Sequence, residues 1–152
     1  MISKVLPPAA AVLYDQDFFA WTVETARLIR SGLLSEVDLA RVAEEIEDMG
    51  KSETRELWSR LTVLIIHLLK WKCQPARRSR GWQDTIAEQR DQLDRLIKNS
   101  PSLRRAAGPS LPDVYPNAVR RARIQTGLSF DDFPRTCPFT ENQVLDHDFL
   151  PE

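Results

Sequence analysis

Apolar positions recur at three- and four-residue intervals over most of the chain, and no stretch alternates as a strand would. Phe18, Trp21, Thr25, Leu28 and Ile29 fall on one helical face. Asp15 or Asp17 can cap that helix, and Gly32 can close it in a left-handed conformation with Leu33 folded back on the last turn. Residues 1–14 read as an extended arm. Ser35 to Asp38 is a capping-box-like start, with Asp where Glu or Gln is usual. A long stripe follows: Leu39, Val42, Ile46 and Met49, then Leu57, Leu61, Leu64, Leu68 and Trp71, all in one helical phase. One helix over residues 36–72 would measure ~55 Å at 1.5 Å per residue, long for a domain of this size. A kink or break is therefore expected at Gly50, and the unbroken phase favours a kink.

Pro75 stops the long helix and Ser79 caps the next, whose apolar face is Trp82, Ile86, Leu93, Leu96 and Ile97 with Gln89 interrupting it. Ser100 and Pro101 suit the N-cap and first position of a further helix, which Ala107-Gly108-Pro109 is expected to interrupt. A last main helix is expected from Asp113 to Thr126, closed by Gly127. Residues 128–152 read as an irregular tail with one short helical turn near Glu141 to Leu145. These elements predict one all-α domain over residues 1–152, an antiparallel bundle of about four main helices with the tail packed across it.

The composition agrees with such a fold. With 152 residues, 42% of them hydrophobic, the chain can bury a core and is not of the disordered type. Its net charge of −1 gives no global signal for nucleic acid or membrane, but the charges are segregated. Glu36 to Glu56 holds 8 acidic and 3 basic side chains. Lys70 to Arg80 holds 5 basic and no acidic ones, and Ser129 to Glu152 holds 6 acidic and 1 basic. Cys73 and Cys137 stand far apart in no metal-binding pattern, so a reducing cytoplasm is the expected compartment, with no metal or cofactor. The longest apolar run, Leu61 to Leu69, is less than half of the ~20 residues needed to span a bilayer.

Several short segments, taken in order, resemble a known family. They are Tyr14-x-x-Asp17-Phe18-x-x-Trp21, Glu44-Glu45-Ile46-Glu47-x-Met49-Gly50 and His67-Leu68-Leu69-Lys70-Trp71. Gln74-Pro75, Arg78-Ser79-x-x-Trp82, Thr85-Ile86-x-Glu88-Gln89-Arg90 and Ser100-Pro101-Ser102-Leu103 follow, then Cys137-Pro138-Phe139-Thr140 and Asp148-Phe149-Leu150-Pro151. Together they resemble the uncharacterised bacterial proteins grouped as domain of unknown function 29, over residues 14 to 151. The resemblance implies an all-α cytoplasmic bacterial protein and no particular activity. Gly108-Pro109 departs from it, where the family's helix would continue.

Three constellations could carry chemistry. Lys70, Lys72, Arg77, Arg78 and Arg80, with Trp71 and Trp82, surround one helix junction. Guanidinium forks suit phosphate or carboxylate, indoles offer stacking faces, and the helix N-terminus after Ser79 favours an anion. Both indoles also lie in phase with apolar stripes, and the cations suit a helix C-terminus or pairing with Glu44 to Asp48. Arg60 and His67, two turns apart, resemble loosely the arginine–histidine RNase motif of nucleotide-binding helical bundles, which implies a general acid/base at His67 and a phosphate ligand at Arg60. A histidine bonded to a neighbouring helix is the ordinary alternative. Glu44, Glu45, Glu47 and Asp48 lack the Glu-x-x-His partner of a bundle metal site and read as a solvated face. Gly50-Lys51-Ser52 is no phosphate loop, because Glu45 stands where the first glycine is required. Cys137 has no evident histidine partner other than His147.

The expectation is a non-catalytic binding module that uses the basic junction toward an acidic protein, an anion or nucleic acid. An RNase-like enzyme using Arg60 and His67, and a self-associating structural domain forming a homo-oligomer, are the alternatives.

Overall fold

The computed structural model describes residues 8–152, and side chains from Val12 onward. Among these residues it holds six α-helices and no strand: α1 (Pro8–Gln16), α2 (Phe18–Arg30), α3 (Leu39–Cys73), α4 (Arg80–Asn99), α5 (Arg104–Thr126) and α6 (Glu141–Leu145). The fold is an all-α helical bundle, as the periodicity predicts. The chain groups into two compact units, one up to Gly50 and one from Lys51 to Glu152.

In the first unit the expected extended arm is helical from Pro8 onward, and its residues 1–7 lie outside the described residues. Three alanines, Ala9, Ala10 and Ala11, follow Pro8, which explains the helix: proline suits a first turn and alanine has the best helix propensity. Asp17 caps α2, its carboxylate accepting from the Ala20 N–H at 2.9 Å. Gly32, at φ +73°, ends α2: its N–H reaches the Ile29 carbonyl and that of Leu33 the Leu28 carbonyl, each at 3.0 Å. That pair of bonds is the Schellman closure. Ser35 lies in a single 3-10 turn, Leu34–Glu36, and the cap of α3 falls on Asp38, which accepts from the Arg41 N–H at 3.0 Å. Tyr14, Phe18 and Trp21 form a ring cluster with centroids 5.0–5.7 Å apart. The Tyr14 hydroxyl donates to Glu45, and the Arg41 guanidinium lies 4.1 Å from the Tyr14 ring centre.

Helix α3 runs unbroken through Gly50, so no break separates the two halves of its stripe. Only one half is covered. Leu57, Leu61, Leu64 and Leu68 are fully buried, whereas Ile46 is 62% and Met49 69% exposed, with Leu39 also at the surface.

The second unit holds the main core. Leu57 to Leu69 of α3, Ile86 and Leu93 of α4, and Leu111, Val114, Ala118, Val119 and Ala122 of α5 meet there, with Phe133, Phe139 and Val144 of the tail. Helix α5 is one helix of 23 residues and is not interrupted at Gly108-Pro109. It contains Pro109, Pro112 and Pro116, each of which removes a backbone donor. All three rings are exposed, while Ala107, Leu111, Val114, Tyr115, Ala118 and Val119 bury the opposite faces, and this packing outweighs the local helix-breaking tendency. Gly108 leaves room for Glu141, which pairs with Arg104; a methyl group at position 108 would run into the Glu141 carboxylate. Ser100 gives α5 no side-chain cap and instead donates to Glu53 at 3.1 Å.

The tail is irregular apart from a 3-10 turn at Phe130–Asp132 and α6, which starts at a Thr140/Gln143 capping box. Its main chain is held by Arg90 of α4, which is only 1% exposed. Arg90 donates from Nε to the Val144 carbonyl (2.9 Å), from Nη1 to those of Phe149 (2.9 Å) and His147 (3.5 Å), and from Nη2 to that of Gln143 (3.1 Å). Burial pushes this guanidinium below its usual range, and Asp146 and Asp148 act in the opposite sense. Arg90→Met keeps most of the volume but strips those carbonyls of their donor, and should lower stability by about 3 kcal/mol. Urea unfolding followed by circular dichroism measures this; a loss below ~1 kcal/mol would mean that the tail is held by its apolar contacts alone.

Candidate functional site

The α3–α4 junction follows from local sequence. Pro75 cannot continue α3, so Pro75–Arg77 forms a 3-10 turn, and the Ser79 hydroxyl then accepts from the Trp82 N–H at 3.3 Å to start α4. The five cations divide into two groups. Lys70 is half-buried, donates to the Gln125 side chain at 3.2 Å and lies 4.7 Å from the Trp82 ring centre; its burial lowers its pKa. Arg78 donates to the carbonyls of Trp71 (2.9 Å) and Pro151 (3.4 Å), with its guanidinium 5.1 Å from the Trp71 ring centre. These two cations hold the junction together. Lys72, Arg77 and Arg80 are exposed, and none of the five pairs with a carboxylate among the described residues. The acidic stretch is engaged elsewhere, Glu44 with Arg41 at 3.8 Å and Glu45 with Tyr14. The hydrogen bond from Tyr14 to Glu45 raises the tyrosine pKa.

Trp71 and Trp82 are half-buried, and one face of each carries a cation. They brace the junction more than they offer stacking platforms. Lys72 also stands at the rim of a cleft of about 480 Å³ shared with Pro138, Phe139, Phe149 and Glu152.

Arg60 and His67 have separate partners. Arg60 pairs with Glu56 at 2.8 Å and reaches the Gln89 amide oxygen at 3.5 Å. His67 is half-buried with Nδ1 2.8 Å from the Val63 carbonyl, one turn back, which makes Nδ1 the protonated nitrogen. No hydrogen bond joins the two residues. Burial lowers the His67 pKa, the Val63 carbonyl opposes that shift, and Lys70 and Arg121 add to it. Cys73 and Cys137 are half-buried thiols, raised in pKa by burial, and so poor nucleophiles. Among the described residues, no group of three or more His, Cys, Asp or Glu is placed to hold a metal ion. Nor is any helix among them long and apolar enough to cross a membrane.

Sequence reasoning missed two features. Arg90 was visible only as a cation between Ile86 and Leu93 on an apolar stripe. His147 sits 2.6 Å from Asp94 and 3.9 Å from Asp91 of α4, a second fastening of the tail that no spacing announces.

The lowered His67 pKa fixes the sign of one effect. The unfolded chain takes up this proton at a higher pH than the folded one, so stability falls as pH drops below about 6.5. His67→Gln should therefore lose less stability than wild type between pH 7.5 and 5.5 in urea titrations; equal losses would show that His67 titrates alike in both states.

No curated protein and no solved structure matches the chain at a significant level. A family model described as "Domain of unknown function DUF29" matches residues 13–150, nearly the whole chain, and the chain belongs to that family.

Proposed function

We propose that this protein is a non-catalytic binding module whose α3–α4 junction receives a polyanionic partner. The supporting observation is the set of exposed cations, Lys72, Arg77 and Arg80, clustered within nine residues and without a carboxylate partner among the described residues. Arg78 and Lys70 spend their donors on the Pro151 and Trp71 carbonyls and on Gln125, and so present the other three on a braced turn. A pre-ordered turn loses little freedom on binding, which favours affinity. The partner's chemistry is that of phosphate or clustered carboxylates.

A second reading rests on His67. Burial and nearby Lys70 and Arg121 favour its neutral form, the form a general base needs, and the cations beside it suit phosphate. Arg60, tied to Glu56 and Gln89, does not share that position, so an RNase-like reaction would depend on Lys70 or Arg121 for the phosphate contact.

One assay addresses both. A labelled single-stranded RNA, with heparin as a second polyanion, is titrated against the folded protein at several salt concentrations. Binding should weaken as salt rises, and Lys72→Glu with Arg77→Glu and Arg80→Glu should weaken it by at least tenfold and flatten the salt slope. Arg78 is left intact because it braces the junction through the Trp71 and Pro151 carbonyls. Binding of neither probe, or salt-independent binding, would overturn the module reading. RNA cleavage that disappears in His67→Ala would establish the enzyme reading instead, and an intact RNA removes it.

A further inference from the structure

The first unit carries an apolar surface that its described residues leave uncovered. Leu39, Ile46 and Met49 of α3 lie one above another and are all exposed, with Glu45 and Glu47 flanking them. Phe19 of α2 is 77% exposed. The stripe keeps the phase of Leu57, Leu61 and Leu64, which are fully buried, so its register is that of a buried face. The surroundings are acidic: residues up to Gly50 include nine Asp and Glu against four Lys and Arg.

The second unit has the opposite balance, thirteen acidic against seventeen basic side chains. At the end of α5 it carries a patch of complementary design. Ile124 is 81% exposed and Phe130 is also at the surface, with the Arg123 guanidinium 5.8 Å from the Phe130 ring centre. Arg120, Arg123, Ile124, Gly127 and Leu128 line a shallow cleft of about 290 Å³. The left-handed Gly127 (φ +73°) ends the helix beside Ile124. Neither Arg120 nor Arg123 pairs with a carboxylate among the described residues.

We propose that the chain self-associates through a head-to-tail contact. The acid-flanked stripe Leu39, Ile46 and Met49 of one copy docks on the arginine-flanked Ile124 and Phe130 patch of a second copy. Each surface supplies what the other lacks: apolar area meets apolar area, and the Glu45 and Glu47 rim meets Arg120 and Arg123. Pairing of two stripes with each other would instead set carboxylates against carboxylates. Both halves of the contact reside on one chain, so a second copy always carries the complement. A contact between different patches can add further copies or close in a ring.

Sedimentation and light scattering test this with the full chain. Wild type should grow in mass with concentration, less so at high salt. Ile46→Lys with Met49→Lys removes the stripe, and Ile124→Glu removes the patch; each variant alone should be monomeric. Mixed in equal amounts they should form a complex, because one retains an intact patch and the other an intact stripe. A monomeric wild type overturns the proposal. So does a self-associating Ile124→Glu protein, which would mean stripe-to-stripe pairing. A mixture that stays monomeric also overturns it, given helical circular dichroism for both variants. Should the lysine variant lose that signal, Ile46→Ala with Met49→Ala takes its place and must complement Ile124→Glu.

Discussion

The unbroken apolar stripe of α3 is the constraint on which the rest of the structure depends. A helix presents the same face along its whole length, so residues in one phase must meet a common fate or find different neighbours. From Leu57 to Leu69 the neighbours are α4, α5 and the tail, and the face is sealed. Before Gly50, Leu39, Ile46 and Met49 of the same phase are exposed, with Val42 half-buried. Short helices such as α1 and α2 gain most of their stability from packing, yet among the described apolar residues of the first unit only Trp21, Leu28 and Val37 are buried. That contrast is the basis of the proposed self-association.

The second unit solves a different problem. An irregular tail carries main-chain carbonyls that have no ladder to join, and a buried carbonyl without a donor is unfavourable. Arg90 supplies several donors from a single side chain, and Arg78 extends the same device to the Pro151 carbonyl. The tail is thereby fixed beside the α3–α4 junction. The proposed binding surface inherits that order: cations committed to carbonyls and indoles hold the turn, and Lys72, Arg77 and Arg80 remain outward.

Helix ends were legible because their chemistry is local. Asp17, Gly32, Ser79, Gly127 and the turn at Glu141 to Leu145 all do what their side chains and spacing suggest. Ser35 and Gly108-Pro109 differ from expectation, because a 3-10 turn holds Ser35 and α3 begins only after Asp38, and because core packing carries a helix through prolines. Periodicity showed which face of α3 is apolar but could not show what covers it. Arg90 was illegible for a related reason: only the folded tail reveals why a guanidinium belongs on an apolar stripe. Of the candidate site, the cluster of cations could be read directly, whereas their division into bracing and outward groups depends on Gln125 and Pro151, far away in sequence.

Amide hydrogen exchange at low and high protein concentration tests most directly whether the bare half of α3 is an unfinished core. In dilute solution, amides from Leu57 to Leu69 should exchange slowly, whereas those of α2 and of α3 before Gly50 should exchange faster. Raising the concentration should slow the second group and leave the first unchanged. Equal, concentration-independent protection along the whole of α3 would contradict this, because it would mean that the first unit is stable without anything covering Leu39, Ile46 and Met49.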